Sequence, residues 1–563
     1  MSEYLSPGVY VEEYDNSPRA IEGVGTSTAG FVGFAERGPV IGAPSLVTSY
    51  ADFLNQFGGP LSEFEYGVYR FLAPSVEQFF VNGGTRAFVV RCALPEAKEA
   101  TLEVGNVKID AANPGKWGNR VQVTFSLSMK KKMQLVKAEE GTAYTAKSVS
   151  GFREGDVVAI GDEYNKIVSI MDNTVTFANE WKAEVVDDGM IPKTVIFLVE
   201  TDVSVRYADV IENYTGMNFN PISPDFIVTR TGKSQLVRIS VKPEETVGNP
   251  IEAIVGAGNI YGTVQLDGGA DGNVDAVTAG TIIGEDGGPG KRTGIQALGE
   301  NNVISIVACP GITIPEVTVA LVTQCENLKS RFAVLDMPGD LVKTNELIEY
   351  RSLIDSTYAA MYHPWIQVFD RSMNKPGLIP PSGAIMGIYS RTDVARGVHK
   401  APANETVSCT GLGVNYGKGE QDILNPEGIN LIRALPGQGI RVWGARTASS
   451  NAAFKYVNVR RLFIFVEESI KQNTNWVVFE PNDQQLWIRI QLSISAFLNS
   501  LWRNGMLFGS SPDEAYFVDI GTTTMTRDDI DNGRLICNIG IAPSKPAEFV
   551  IFRVTQHTAN AGE

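Results

Sequence analysis

The chain has 563 residues, with 48 Lys and Arg against 64 Asp and Glu and a formal charge of −16. At about 150 residues per domain this length points to three or four domains, and 43% hydrophobic with 20% charged residues is globular rather than disordered composition. DNA and RNA binders neutralise phosphate with a basic face, so so acidic a chain is not expected to bind nucleic acid. Met1 to Gly8 lack a basic stretch leading into an apolar one, and no uncharged apolar run of about 18 residues follows anywhere. Neither a secretory signal nor membrane insertion is expected, and synthesis is expected in the cytosol. The five cysteines, Cys92, Cys309, Cys325, Cys409 and Cys537, form no CxxC pair and suit free buried thiols.

In chain order, residues 5–14 alternate as a strand does, and Pro7-Gly8 and Ser17-Pro18 cut it off from a local hairpin partner. Such a strand either borrows a partner or frays. A small-residue run at 23–34 ends in a strand, 75–81 reads as a helix and 87–91 as the next strand, an α/β opening. From about 101 to 225 short β-type runs at 121–125, 156–160, 166–170 and 174–177 alternate with turn signals. Lys130-Lys131-Lys132, in their midst, reads as a solvated turn. The strand at 303–308, helix at 316–330, strand at 331–336 and helix at 344–354 form a βαβα series.

Two helices stand out after residue 430. Ser449-Ser450 are placed to cap one that carries Phe454, Val457, Leu462, Phe465 and Val466. Pro481-Asn482-Asp483 opens the other, apolar from Leu486 to Trp502, with Gly505 placed to end it. A β-branched run at 548–555 closes the pattern. The fold class is α/β and α+β multidomain: α/β core domains, a β-rich insertion domain and extended N- and C-terminal arms. The divisions are 1–22, an N-terminal arm; 23–100 plus 226–370, an α/β middle domain; 101–225, the insertion; 371–543, a C-terminal core; and 544–563, a C-terminal arm.

Sites of chemistry fail on specific residues. Gly290-Lys291 resembles a phosphate loop, but Glu285 stands where glycine is needed and Arg292 where Ser or Thr is needed. Gly23-x-Gly25 and Gly411-x-Gly413 are followed by Thr28 and Tyr416 where the dinucleotide fingerprint wants a third glycine. Gly25-Thr26-Ser27-Thr28-Ala29 breaks the serine-hydrolase elbow at its last position. His363, His399 and His557 form no metal-binding pair, and His363 before Pro364-Trp365 reads as a packing residue. Asp528-Asp529 and Glu467-Glu468 are sequence neighbours, so they do not face one another on a helix. No catalytic residue, metal ligand or cofactor is expected.

Several segments carry a family pattern. They include Ser6-Pro7-Gly8-Val9-Tyr10-Val11-Glu12-Glu13, residues 26–33, Asn113-Pro114-Gly115-Lys116-Trp117-Gly118-Asn119 and Leu266-Asp267-Gly268-Gly269-Ala270-Asp271-Gly272. Further on come Pro380-Pro381-Ser382-Gly383, residues 391–404, Arg441-Val442-Trp443-Gly444-Ala445-Arg446-Thr447, Val459-Arg460-Arg461-Leu462 and Ala542-Pro543-Ser544-Lys545-Pro546-Ala547-Glu548-Phe549. In this order they resemble the contractile tail sheath proteins of bacteriophages, tailocins and related contractile injection systems. The 101–225 block is the least similar part and resembles a variable outer decoration.

The resemblance implies a structural, non-enzymatic subunit that assembles with itself, as hexameric rings stacked in a helical sheath around an inner tube protein. Baseplate and terminator or cap proteins are the other implied partners. Assembly in the bacterial cytoplasm into a phage-tail-like particle is implied, as is contraction from a metastable extended lattice that drives the tube through a target membrane. Strands at Val9, Tyr10, Val11 and Glu12, and at Phe549, Val550, Ile551 and Phe552, would complete β-sheets of neighbouring subunits. The 371–543 part would face the tube, with Asp513, Glu514, Arg527, Asp528 and Asp529 either in contact with it or plain surface. Two other classes remain open at this point: an α/β enzyme binding a small ligand near 308–311 and 336–339, and a surface-binding protein using 101–225 on glycans or a cell wall.

Overall fold

The computed structural model describes residues 20–181, 194–242, 248–370 and 374–553. The expected N-terminal strand, with Val9, Tyr10, Val11 and Glu12, lies outside the described residues. Six strands made mostly of apolar and small residues run parallel in one sheet: Ala87–Cys92, Ala29–Phe34, Ile306–Ala308, Phe332–Asp336, Ala359–His363 and Ile429–Leu435, in that spatial order. Antiparallel strands flank them, Ser45–Val47 on one side and Gly439–Val442 then Glu405–Thr406 on the other.

Every residue of Ala29–Phe34, Phe332–Asp336 and Ala359–His363 is buried, as happens when helices cover both faces of a parallel sheet. The alternating side chains divide between two cores. Phe31, Val89, Val334 and Tyr362 meet helices Leu72–Val81 and Ser382–Arg396. Val32, Val90, Leu335 and Met361 meet helices Pro315–Leu328, Thr344–Arg351 and Lys418–Leu424. The βαβα series read from the sequence therefore forms, with its elements shifted by a few residues at their ends.

Helices Leu72–Val81 and Ser382–Arg396 touch backbone to backbone. A Cβ on Gly383 would stand 2.1 Å from the Ser75 carbonyl oxygen, and one on Gly387, a turn later, 2.4 Å from that of Phe79. Neither oxygen can retreat without shifting its helix. Gly383→Ala is expected to destabilise the fold by about 1–3 kcal/mol, the range for overpacking, read as a lower urea midpoint. An unchanged midpoint would contradict this packing.

Between Cys92 and Ile306 the chain builds three smaller β structures. Val210–Met217, Glu200–Tyr207, Gln122–Ser128 and Tyr261–Gln265 form a four-stranded sheet, and Val237–Val241, Val107–Ala111 and Thr101–Val104 a three-stranded one. Glu163–Met171, Thr174–Phe177, Ala143–Ala146, Lys132–Ala138, Val195–Leu198 and Val157–Ile160 close a barrel. Two of these strands lie beyond residue 225, where the sequence reading ends its β-rich stretch. Their alternation is plain in hindsight, Val237 and Ile239 being buried and Arg238 and Ser240 exposed. Lys130, Lys131 and Lys132 are exposed, as read, and the Lys131 amine also lies 2.9 Å from Glu200, whose side chain is only 3% exposed.

Polar contacts fasten this β-rich part to the main sheet. Glu36, just after Ala29–Phe34, accepts from the Tyr207 hydroxyl at 2.7 Å and from Arg120. The buried Arg91 guanidinium donates to the carbonyls of Ala35, Glu36, Gly38 and Pro114. One arginine thus satisfies four backbone oxygens at the junction.

The C-terminal part packs helices Val457–Asn473 and Gln484–Arg503 through Leu462, Val466, Leu486, Ile490, Ile494 and Leu498. Asp483 caps the second helix as read, accepting from the Leu486 N–H at 2.9 Å, and Gly505 follows it at φ 73°. Ser449-Ser450 do not cap the first. The Asp355 carboxylate takes the N–H and hydroxyl of Ser450 at 2.9 and 2.6 Å, and the helix starts only at Val457, after Tyr456.

Candidate assembly site at the two chain ends

The Val457–Asn473 helix, about 25 Å long at 1.5 Å per residue, holds the described beginnings of both chain ends. Toward its C-terminus, Asn473 donates to the Glu22 carbonyl at 3.0 Å and Ser469 accepts from the Val24 N–H at 3.1 Å. Gly23 lies under the Phe465 ring, where a Cβ would come within 2.8 Å. In its second turn, the buried Arg461 clasps Asp393 at 2.9 and 2.5 Å and donates to the Thr26 carbonyl at 2.9 Å. The Thr26 hydroxyl donates to the same carboxylate at 2.6 Å.

At the other end of the helix, Asn458 donates to the Ser544 carbonyl at 3.1 Å. The Glu548 carboxylate accepts from Arg446 Nε and Nη2, Asn425 Nδ2 and the Tyr456 hydroxyl, each at 2.8 Å. Burial pushes this carboxyl upward, but the bonds from Arg446, Asn425 and Tyr456 outweigh it and hold it at about 2. Beside it lies an open groove of about 1280 Å³ lined by Arg396, Lys418, Arg433, Trp443 and Arg446.

Past Glu548 the chain lies bare. Phe549, Val550, Ile551 and Phe552 are 71, 68, 77 and 87% exposed and belong to no strand. A second unpaired surface is the ribbon Tyr516–Ile520 and Cys537–Ile541, which stands as a sheet of only two strands. One face rests on the Gln484–Arg503 helix, with Gln491 donating to the Val518 carbonyl at 3.1 Å. Neither outer edge carries a further strand among the described residues.

The charged candidates do not come together. Asp513 and Glu514 lie in Pro512–Ala515, just before the ribbon, and Arg527, Asp528 and Asp529 lie in Arg527–Asp531, in its connection. Tyr516 pairs with Ile541 and Ile520 with Cys537, so the two groups sit at opposite ends of the ribbon, about 14 Å apart along the strand. Arg534 holds Asp528 at 2.7 Å and Asp529 at 2.8 Å. Bonds from the Thr526 hydroxyl and N–H, then from Arg534, bring Asp529 down to about 2. Glu514 accepts from the Ser510 N–H at 2.8 Å.

The strand ends near 308–311 and 336–339, where an enzyme reading would seat a ligand, are filled. Asp336 accepts from the Ser382 hydroxyl at 2.6 Å and from the N–H groups of Ser382 and Gly311 at 2.8 and 3.0 Å. Trp365 donates to the Met337 carbonyl at 2.8 Å, and its ring covers Gly339. The void left beside Asp336 and Cys309 is only about 10 Å³, far below the several hundred Å³ of a typical small-ligand pocket. His363 is 1% exposed and meets the Tyr416 hydroxyl at 3.0 Å, and burial lowers it to about 4. Burial likewise pushes the Cys92 and Cys325 thiols up to about 12. Among the described residues no group of three or more His, Cys, Asp or Glu could hold a metal ion, and no helix is long and apolar enough to cross a membrane.

Two family models match the second half of the chain, one directly after the other. Residues 284–448 match the phage tail sheath protein central domain, and residues 449–557 the phage tail sheath C-terminal domain. Over these residues the chain matches the phage tail sheath family. The putative prophage major tail sheath protein of Pseudomonas aeruginosa strain UCBPP-PA14 is 25% identical to it over 49% of this chain and 72% of its own length. The tail sheath protein of Escherichia phage P2 is 25% identical over 49% and 71%. The match to the tail sheath protein of Vibrio phage KVP40, at 24% identity, covers 37% of this chain and 31% of that one.

In fold this chain is similar over nearly its whole length to two solved structures. One is the helical sheath of the anti-feeding prophage in the contracted state, with a TM-score of 0.54, 22% identity and 98% and 100% of the two chains covered. The other is the PVC sheath complex of an extracellular contractile injection system, also contracted, with a TM-score of 0.53, 22% identity and 99% of each chain covered. The side chains that root the two ends were not singled out from the sequence. Thr26, Asp393, Arg446, Arg461 and Glu548 nonetheless all lie in the segments that carry the family pattern.

Proposed function

We propose that the chain is a structural subunit of a contractile sheath, whose copies are joined by strands donated from the two chain ends. The observation that carries the reading is the exposed Phe549-Val550-Ile551-Phe552 run, rooted at Glu548, in a protein that also presents a two-stranded ribbon with unpaired edges. Unpaired strand edges invite further strands, and backbone hydrogen bonds then supply adhesion while side chains set register. Val9, Tyr10, Val11 and Glu12 are the matching candidates at the other end.

In this reading the subunits stack as hexameric rings around an inner tube, in a strained extended lattice. Release from a baseplate lets them settle into a shorter, wider one that drives the tube through a target membrane. Donated strands act as hinges, keeping subunits connected while they rotate. The energy comes from differential packing between two lattices, and no catalytic role is assigned. The C-terminal part faces the tube, with Asp513, Glu514 and the Arg527, Asp528 and Asp529 turn as contacts. Assembly takes place in the bacterial cytoplasm, and the product is a phage-tail-like particle.

The test is electron microscopy of the full chain with the tube protein, beside forms lacking residues 1–19 or 549–563. The full chain is expected to form helical tubes or rings, and each truncation to abolish or shorten them. Tubes of normal length from both truncated chains would refute the donated-strand reading.

A further inference from the structure

The geometry points to Glu548 as a positioning residue: its carboxylate clamps the root of the C-terminal arm, so that the apolar run leaves the body at one fixed place, toward a second copy of this chain. What the arm meets rests on the donated-strand reading above; the clamp itself rests on local contacts. Both carboxylate oxygens are fully used. Oε1 takes Arg446 Nε and Asn425 Nδ2, and Oε2 takes Arg446 Nη2 and the Tyr456 hydroxyl, with Lys455 Nζ 3.7 Å away.

The donors come from three separate stretches of chain and are themselves held. Arg446 has a side chain only 8% exposed. Asn430 grips its backbone from both sides, accepting from its N–H at 2.7 Å and donating to its carbonyl at 2.8 Å. Tyr456 immediately precedes the Val457–Asn473 helix, and Asn425 ends Lys418–Leu424. A guanidinium fork preset in this way recognises a carboxylate in one orientation, and a bidentate pair fixes direction as well as position. Upstream, Ser544 is tied by its N–H to the Met506 carbonyl at 3.3 Å and by its hydroxyl to the Gly505 carbonyl at 3.1 Å. Downstream, residues 549–553 make no hydrogen bond among the described residues. Glu548 is therefore the boundary between fixed and free chain.

The clamp separates two chymotryptic sites. On its N-terminal side, cleavage after Phe552 draws on residues 549–552, which make no hydrogen bond to the body, whereas cleavage after Phe549 requires residues on the Glu548 side to leave the body and enter the protease. With the unassembled full chain at pH 8, wild type is expected to be cut after Phe552 well before Phe549. Glu548→Gln puts an amide N–H₂ against these donors and removes the charge. It should speed cleavage after Phe549 about tenfold or more, the order expected when charge-assisted hydrogen bonds no longer hold a segment closed. Cleavage after Phe552 should stay as in wild type, and the melting temperature should fall by only about 1–2 °C. Asn425→Ala, which removes one contact and leaves the ion pair, should give a smaller rise and guards against a folding defect in the first variant.

Assembly with the tube protein is the second readout, and Glu548→Gln should give fewer or shorter tubes, with Glu548→Asp partly restoring them. Unchanged cleavage after Phe549 overturns the clamp, and so does a rise at every site together. Faster cleavage with normal tubes overturns its role in positioning. Failure of the donated-strand reading looks different, since deleting 549–563 would then leave assembly intact.

Discussion

Asp393→Ala is expected to lower the unfolding free energy by about 3–5 kcal/mol, the cost of leaving one member of a buried ion pair without its partner. Arg461 and Asp393 have side chains only 3% and 5% exposed. Removing the carboxylate strands a guanidinium whose remaining bond is to the Thr26 carbonyl and whose remaining aromatic neighbour is the Tyr389 ring at 4.6 Å. Desolvation opposes the charge on Arg461, yet its pKa stays above the ordinary value because the Asp393 charge and hydrogen bonds outweigh burial. The Thr26 hydroxyl loses its acceptor in the same step, so the first described part of the N-terminal end should loosen along with the core. Urea denaturation of Asp393→Ala beside the exposed control Asp340→Ala checks this. The double variant Asp393→Leu, Arg461→Met should lose less than the single one, because no charge is then left buried. A loss below about 1 kcal/mol for the single variant would mean that water reaches the site.

Stability should fall as pH rises from about 4 to 6 by an amount that vanishes when Asp336 is replaced. Burial pushes this carboxyl up to about 6, against bonds from the Ser382 hydroxyl and the Gly311 and Ser382 N–H groups that favour the charged form. Its ordinary value is 3.8, so between the two values the folded protein holds a proton that the unfolded chain has lost. The folded state is favoured below that window and penalised above it, by about 3 kcal/mol once the window is crossed. Asp336→Asn does not titrate. Wild-type stability minus that of the variant should therefore decline by up to about this amount between pH 4 and 7, whatever the constant offset. Parallel curves for the two proteins would rule the effect out. The stake is local: Asp336 joins the end of a central strand to the start of the Ser382–Arg396 helix.

Elements dictated by neighbouring residues were legible. The apolar run at 331–336 has one good solution, a buried strand, and Asp483 before an amphipathic stretch has one obvious use. Ser449-Ser450 misled because the competing acceptor, Asp355, is 95 residues away. What joins elements was not legible at all. Ala29–Phe34 lies between Ala87–Cys92 and Ile306–Ala308, and no periodicity announces a neighbour some 270 residues on. The same holds for the assembly site. The exposed apolar run at 549–552 is visible in composition, whereas its root at Glu548 depends on Arg446, Tyr456 and Asn425, which are 102, 92 and 123 residues away.

The Val457–Asn473 helix gives the subunit a particular mechanical circuit. One end of the chain is fastened near its C-terminus and the other near its N-terminus, so in the proposed sheath tension between copies would run along this rod. A helix pulled along its axis loads its hydrogen bonds in the direction in which they are aligned. In the proposed sheath, a subunit wired in this way swings while carrying traction.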